Sequence, residues 1–454
     1  MDNFEEKDKV SPEDIKDEHP SFIDQYGNIY NISEELARGG QGVVYRTTDP
    51  DLAIKQPLDS DGQPDKNVNL LERFQSIRCL PLPQNIPLTF PLAVLRDAPG
   101  YVMRLLNGMK PLGKFEFDGK AEKEIENQEI PQWLSGIEDK KMAHCLAHYA
   151  ETGSSKQRYL GLYKCAAILA RLHSTGLVYG DVSLNNVFMN FDGNNDVWLI
   201  DADNLRYERL KGGGGTYTRG FGAPEIVKGL DSSRPCTDCW AFSVMAFKLL
   251  SLNHPFIGKR ITEAEDNEGG WDEDTVASGE AGDLEERAYA GEFPFIDDEE
   301  DDSNTCDNGL PRELILTPEL KKLFQETLGY GRTTPLRRST MTLWALEFAK
   351  AYDHSISCPE CGMSYFPEKF TSCPYCEASR PICIKVQTKR WYIIVSVPPK
   401  KSLISFPHRM FHPFSLRLGD VIECNGSWDQ ENKKIIPERG IIFPEDFSQT
   451  FLED

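Results

Sequence analysis

The stretch Tyr179-Gly180-Asp181-Val182-Ser183-Leu184-Asn185-Asn186 decides the fold. It sets a carboxylate and a carboxamide five residues apart in a short polar loop. Upstream, Leu162, Cys165, Ala166, Leu169 and Leu172 recur three or four apart within 156–173, which predicts a helix. Downstream, Val187–Met189 and Val197–Ile200 read as two strands joined by a turn at Asp192-Gly193-Asn194. Next come Leu199-Ile200-Asp201-Ala202-Asp203 and Gly222-Ala223-Pro224-Glu225. Asp238-Cys239-Trp240 then opens a segment, 238–252, that is apolar nearly all round and predicts a buried helix.

Far upstream, residues 37–45 (Ala37-Arg38-Gly39-Gly40-Gln41-Gly42-Val43-Val44-Tyr45) form a Gly-rich turn between strand-like runs. Glycines there let backbone N–H groups approach phosphate oxygens. Lys55 lies thirteen residues beyond Gly42, ending the apolar run Leu52-Ala53-Ile54. Residues 65–78 predict a helix with Val68, Leu71 and Phe74 on one side, Gly100–Leu106 a strand, and Pro318–Tyr352 a return to helix. Each fragment alone is weak: a Gly-rich turn equally fits a plain hairpin, and most strand-end lysines are simply solvated.

Taken in order, the fragments resemble the motif set of the eukaryotic-like protein kinases, over roughly residues 30 to 350. The resemblance implies ATP between two lobes, with Ala37, Gly39, Gly40, Gly42, Val44 and Ala53 around the nucleotide and Lys55 on its phosphates. It implies Glu72 as the ion-pair partner of Lys55, and Asp181 as the catalytic aspartate. Asn186 and Asp201 would hold Mg²⁺ (or Mn²⁺), and Arg338 would pair with Glu225. This suits phosphoryl transfer, which needs positioned cations and a carboxylate that orients the attacking hydroxyl. The sequence also departs from the family. Ala37 replaces the first glycine, and Tyr179-Gly180 replaces a His-Arg pair whose arginine grips an activation-segment phosphate. Ser183, a candidate near the transferred phosphate, stands where a lysine is usual, and Asp203 stands in place of a glycine. The last two changes make the site more negative. A unit charge at 4 Å is worth about 1 kcal/mol in water and ~4 kcal/mol at a protein-like dielectric. Either extra metal, with Asp203 as a further ligand, offsets this, or activity is weakened.

Of the 12 cysteines, four form Cys358-Pro359-Glu360-Cys361 and Cys373-Pro374-Tyr375-Cys376, with eleven residues between them. This spacing predicts a structural zinc ribbon with a closed tetrahedral thiolate cage. Cys236 and Cys239, which overlap the start of the helix that begins at 238, read as buried packing and not as a second metal or redox site. Lys369 and Arg380 are the only basic residues within 358–380, which points the ribbon to protein contact or spacing and away from nucleic acid. A kinase followed by a zinc ribbon resembles a bacterial group found in tellurium-resistance-associated gene neighbourhoods. Its partners there are a von Willebrand A protein and a PP2C-type phosphatase, and the resemblance implies such partners.

The 454 residues carry 50 Lys and Arg against 72 Asp and Glu, a net charge of −22 that argues against a nucleic-acid binder. Residues 262–302 hold 18 acidic residues and one basic residue, Arg287, so the acidity is local and reads as an exposed loop. The absence of a long apolar run and the acidic start (MDNFEEKDKVSPED) predict a cytoplasmic protein away from membranes. The expected fold class is α+β: a two-lobed protein-kinase-like fold, then a four-cysteine zinc ribbon and a small β-rich module. The expected segments are a flexible acidic tail (1–22), a small lobe (23–109), a large lobe (110–353) with the acidic insert 262–302, the ribbon (354–380) and a β-rich module (381–454). The expected activity is ATP-dependent transfer to Ser or Thr of a protein substrate. The alternative is a pseudokinase-type nucleotide-binding scaffold that recruits partners.

Overall fold

The computed structural model describes residues 21–39, 42–67, 69–96, 98–125, 128–192, 194–208, 215–267, 280–306 and 308–380, together with five strands beyond 381. The described residues mix helix and sheet, and they fall into two compact units. The first takes residues up to Pro81, Leu88–Met109 and Ile200–Leu205; the second takes Leu82–Pro87, Lys110–Leu199 and the chain from Arg206 onward.

The first unit contains β1 (Ser21–Ile23), β2 (Ile29–Gly39), β3 (Gly42–Thr47), β4 (Leu52–Pro57), α1 (Asn69–Arg78), β5 (Ala93–Val94) and β6 (Tyr101–Arg104). Its sheet is antiparallel in the order β1-β2-β3-β4-β6-β5. Register shifts between β2 and β3 curl it, as bulges do. Ile32, Ile54, Ala93, Leu95 and Val102 form the core of one face, and α1 buries Phe74 and Ile77. Residues 21 and 22, expected in the flexible tail, belong to β1; the rest of that tail lies outside the described residues. The turn before β6 requires glycine. Gly100 has φ +152°, and a Cβ there would stand 2.8 Å from the Lys55 carbonyl oxygen.

The second unit opens with β7 (Lys110–Pro111), α2 (Gly119–Ile125), α3 (Lys140–Glu151) and α4 (Ser154–His173). Next come β8 (Leu177–Val178), β9 (Val187–Met189), β10 (Val197–Leu199) and β11 (Arg206–Tyr207). Then follow α5 (Pro224–Val227), α6 (Pro235–Ser251), α7 (Lys259–Asn267), α8 (Glu280–Tyr289), α9 (Arg312–Ile315), α10 (Pro318–Phe324), α11 (Gly331–Thr333) and α12 (Met341–His354). The periodic residues of α4 are all fully buried. The helix α6 is buried nearly all round, and Thr237 Oγ1 accepts from the Arg234 N–H at its start. The expected hairpin forms between β9 and β10. The helical stretch expected over 318–352 is broken by a π-turn at Gln325–Tyr330 and a 3-10 turn at Pro335–Arg337.

Two expectations change here. The acidic insert is not a plain exposed loop: it holds α8, and Phe293, Phe295 and Ile296 are buried. Summed charge hides these apolar residues. Some of its acids are moreover partnered, Asp297 with Arg312 at 2.7 Å and Glu299 with Lys321 at 3.1 Å. Residues 268–279 of the insert lie outside the described residues. The cysteine module is likewise no free spacer. Its strands β12 (Ile356–Ser357) and β13 (Ser364–Tyr365) pair antiparallel, and Met363, Tyr365 and Phe366 are buried. Ser154 Oγ, at the start of α4, accepts from Ser364 N at 2.9 Å. Tyr159 stacks on Phe366, and Lys369 Nζ donates to the Glu313 and Leu316 carbonyls. The short apolar run Met363–Phe366 gives the module a face to bury. Beyond it, β14 (Ile382–Gln387) pairs with β15 (Tyr392–Val397) and β18 (Thr450–Leu452), while β16 (Gly426–Asp429) pairs with β17 (Lys434–Pro437).

The Glu225–Arg338 pair forms as expected, bidentate at 2.7 and 2.8 Å, with the arginine side chain fully buried over the Trp240 ring. Removing one partner of a buried pair leaves an uncompensated charge. Glu225→Gln is therefore expected to cost about 3 kcal/mol in denaturant unfolding, and a loss below about 1 kcal/mol would contradict a buried role for the pair.

Candidate functional site

In the first unit, strand register places the key side chains. Lys55 is opposite Val44 on β3 and opposite Tyr101 on β6. Cross-strand partners share a face. Gly42 lets β3 pass close to the lysine, since a Cβ there would sit 3.4 Å from Lys55 Cε and 3.0 Å from the Gln56 carbonyl. Asp201 takes a left-handed φ of 58°, and the tight turn Ala202–Asn204 brings Asp203 back beside it. Lys55 Nζ then donates to Asp201 Oδ1 at 2.5 Å and to Asp203 Oδ2 at 2.7 Å. The Tyr101 hydroxyl donates to Asp203 Oδ1 at 2.7 Å. Burial alone would raise the Asp201 carboxyl, but Lys55 outweighs it and holds the group below the ordinary carboxylate range. Asp203 goes up, because burial and the Asp201 charge together outweigh Lys55. Burial opposes the charge on Lys55, yet the two carboxylates hold its ammonium above the usual range.

Glu72 is not the partner of Lys55. It is exposed on α1, and the ion pairs of Lys55 are with Asp201 and Asp203. The buried residues of α1 are Phe74 and Ile77. Glu72 lies two positions before Phe74, about 200° around the helix, and so faces away. The residue of α1 that reaches the 202–204 turn is Arg73, whose Nη2 donates to Asn204 Oδ1 at 2.9 Å. Of the glycine-turn candidates, Ala37 and Gly39 end β2, Gly42 and Val44 are on β3, Ala53 is buried on β4, and Gly40 lies outside the described residues.

In the second unit, the stretch 179–186 is organised around Asp181. Asn186 Nδ2 donates to the Asp181 backbone oxygen at 2.9 Å and to Asp181 Oδ2 at 3.1 Å. Both amide hydrogens are thus used, which leaves the Asn186 Oδ1 as the atom to offer a ligand. The Thr218 hydroxyl donates to Asp181 Oδ1 at 2.8 Å. Ser183 is 1% exposed, and its hydroxyl has no hydrogen-bond partner among the described residues.

Sequence reasoning missed the residue that fixes this loop. Asp238, buried at the start of α6, accepts from the Tyr179 and Gly180 N–H groups at 2.8 and 2.9 Å and from His173 Nε2 at 2.9 Å. An acid inside an otherwise apolar helix was the available signal. His173 does hydrogen-bond beside the loop, as expected. Cys236 and Cys239 are packing residues, and burial pushes the Cys236 thiol up to about 11.

The segment after Thr218 is held by the acidic insert. Arg219 donates to Glu286 Oε1 at 2.5 Å and to Glu285 Oε2 at 2.6 Å, and it lies over the Tyr289 ring. His254 packs edge-on against the same ring. Its Nε2 faces the Gly220 carbonyl at 2.9 Å, and its Nδ1 accepts from Phe256 N at 3.3 Å. That pair of contacts fits only the neutral Nε2–H tautomer, and burial pushes its pKa down to about 3.

The four paired cysteines converge, with all their sulfurs within 4.8 Å of one another. The Cys358–Cys376 and Cys361–Cys373 sulfurs are 3.6 and 3.7 Å apart. A tetrahedron with metal–sulfur bonds of about 2.3 Å has edges of about 3.8 Å, so the cluster can hold a zinc ion. The Cys361–Cys373 hydrogen bond brings Cys373 down to about 5 and raises Cys361.

Over 134 residues the chain is 28% identical to Protein kinase C-like 1 of Caenorhabditis elegans. The match covers 29% of this chain and 18% of that protein. No protein-family model matches the chain. Among the described residues, no helix is long and apolar enough to cross a membrane.

Two outcomes follow from this geometry. A histidine whose folded pKa lies below its unfolded value of about 6.5 stabilises above that pH, and the contribution fades as pH falls. His254→Gln keeps an N–H for Gly220 but cannot titrate. Between pH 6.5 and 5, wild type is expected to lose about 1–2 kcal/mol more stability than the variant, and parallel curves would contradict this. Metal analysis is expected to find one zinc per chain, lost in Cys373→Ser. Because the module packs on α4, that loss should lower the melting temperature by about 5 °C or more.

Proposed function

We propose that the chain is a protein kinase that passes the γ-phosphate of ATP to a Ser or Thr hydroxyl of a protein substrate. The observation that carries this reading is the ion pair between Lys55 and Asp201, 146 residues apart in sequence and 2.5 Å apart in space. The distant likeness to a kinase-named protein supports it. Lys55 would take phosphate oxygens, and Asp201 with Asn186 would hold Mg²⁺, which neutralises charge on the phosphates. Asp181, fixed by Asn186 and Thr218, would orient the attacking hydroxyl and accept its proton. The four cysteines would hold a structural zinc, closed to substrate.

One observation favours a second reading, a nucleotide-binding scaffold. Where the kinase pattern has a lysine, this chain has the buried, uncharged Ser183, which supplies no cation to the transferred phosphate.

A phosphotransfer assay separates the two. Wild type with ATP and Mg²⁺ is expected to label protein substrate, and Asp181→Ala is expected to cut kcat by about 10²–10⁴-fold while still binding nucleotide. Lys55→Ala is expected to weaken nucleotide binding and transfer together. Nucleotide binding by a wild type that transfers nothing would establish the scaffold.

A further inference from the structure

We propose that Asp203, oriented by Tyr101, is the positioning residue that anchors Lys55, the task that the kinase pattern gives to a helix glutamate. The inference rests on the kinase reading and deepens it.

The geometry comes from three separate stretches of chain. Lys55 and Tyr101 are direct cross-strand partners on β4 and β6, so both side chains rise from one face of the sheet. The Asp203 carboxylate bridges them: Oδ2 accepts from Lys55 Nζ at 2.7 Å, and Oδ1 accepts from Tyr101 Oη at 2.7 Å. With both oxygens engaged, the carboxylate plane is fixed. The Tyr101 ring is 1% exposed and is held edge-on by Phe74 at 4.8 Å. The hydroxyl therefore has little freedom to leave Asp203. An ammonium has three N–H donors. Asp201 and Asp203 use two of them, which leaves the third for a phosphate oxygen.

The same geometry explains why an anchor other than Asp201 is needed. A divalent cation on Asp201 would compete with Lys55 for that carboxylate. Lys55 then keeps its place only if a second carboxylate holds it. Glu72 does not supply one, because the buried face of α1 is the Phe74–Ile77 face and Glu72 is exposed. Arg73 takes the contact from α1 to the turn instead, through Asn204. An aspartate at 203 thus supplies from the turn the charge that the helix does not.

The test compares Asp203→Asn, Tyr101→Phe and Glu72→Gln with wild type in the full chain. Four quantities are read: KM for ATP, kcat, the Mg²⁺ concentration for half-maximal rate, and labelling of Lys55 by an acyl-phosphate derivative of ATP followed by mass spectrometry. Losing a charge-assisted bond to Lys55 is expected to raise KM for ATP about tenfold or more in Asp203→Asn, with less labelling of Lys55. Tyr101→Phe keeps the ring and removes only the hydroxyl, and should move both quantities the same way by about threefold. Half-saturation by Mg²⁺ should stay within about twofold of wild type in both. The loss should rank Asp203→Asn, then Tyr101→Phe, then Glu72→Gln. A larger loss from Glu72→Gln than from Asp203→Asn overturns the inference. So does a shift in Mg²⁺ dependence with Lys55 labelling unchanged, which would make Asp203 a metal ligand. If wild type transfers phosphate and neither Asp203→Asn nor Tyr101→Phe changes anything, this inference alone falls. If wild type neither binds nor transfers, the kinase reading falls and takes it along. Matching thermal melts of the folded variants separate these results from loss of structure.

Discussion

A charge withdrawn from water must meet an opposite charge or aligned dipoles, or the fold that buries it is lost. The protein meets this constraint at several buried charges among the described residues. Lys55 is met by Asp201 and Asp203, and Arg338 by Glu225. Asp238 is met by two backbone N–H groups and His173. Arg158, fully buried, is met by carbonyls of Phe115, Tyr149 and Ser154 and by the rings of Tyr149 and Phe115. Each of these links segments far apart in sequence.

Where the sequence was legible, spacing or order carried the signal. The loop 179–186 could be read because Asp181 and Asn186 stand at a fixed spacing between a strongly periodic helix and a strand, and the structure hydrogen-bonds the two to each other. Arg338 and Glu225 could be read from their order, and they pair. The four cysteines could be read from spacing alone, because a metal cage tolerates few geometries.

Where legibility failed, the deciding fact was a phase or a register. Glu72 has the right residue type and stands on the right helix, but α1 turns its Phe74 and Ile77 face inward. A pattern that counts Val68, Leu71 and Phe74 as one side does not settle which of two neighbouring faces wins. Tyr101 gave no signal as a site residue, because its role depends on β6 pairing with β4 in a particular register. Asp203 was visible as a departure from a pattern, yet its partner was not. The acidic insert was misread for a different reason: net charge is a sum, and Phe293, Phe295 and Ile296 contribute nothing to it while dictating burial.

These errors bear on one another. The pattern-based reading treated Asp203 as surplus negative charge near phosphate, a cost to be offset by extra metal. With Glu72 turned outward, that carboxylate is no longer surplus: moving a charge from helix to turn leaves the number of acids next to the lysine unchanged. On the proposed kinase reading, the usual arrangement would put one metal-binding aspartate and one helix glutamate at this lysine. Here there are Asp201 and Asp203, two acids from a single turn, with Tyr101 holding the second in place. On the kinase reading, the glycine expected at 203 and the glutamate expected to point inward from α1 are one exchange, and each departure accounts for the other.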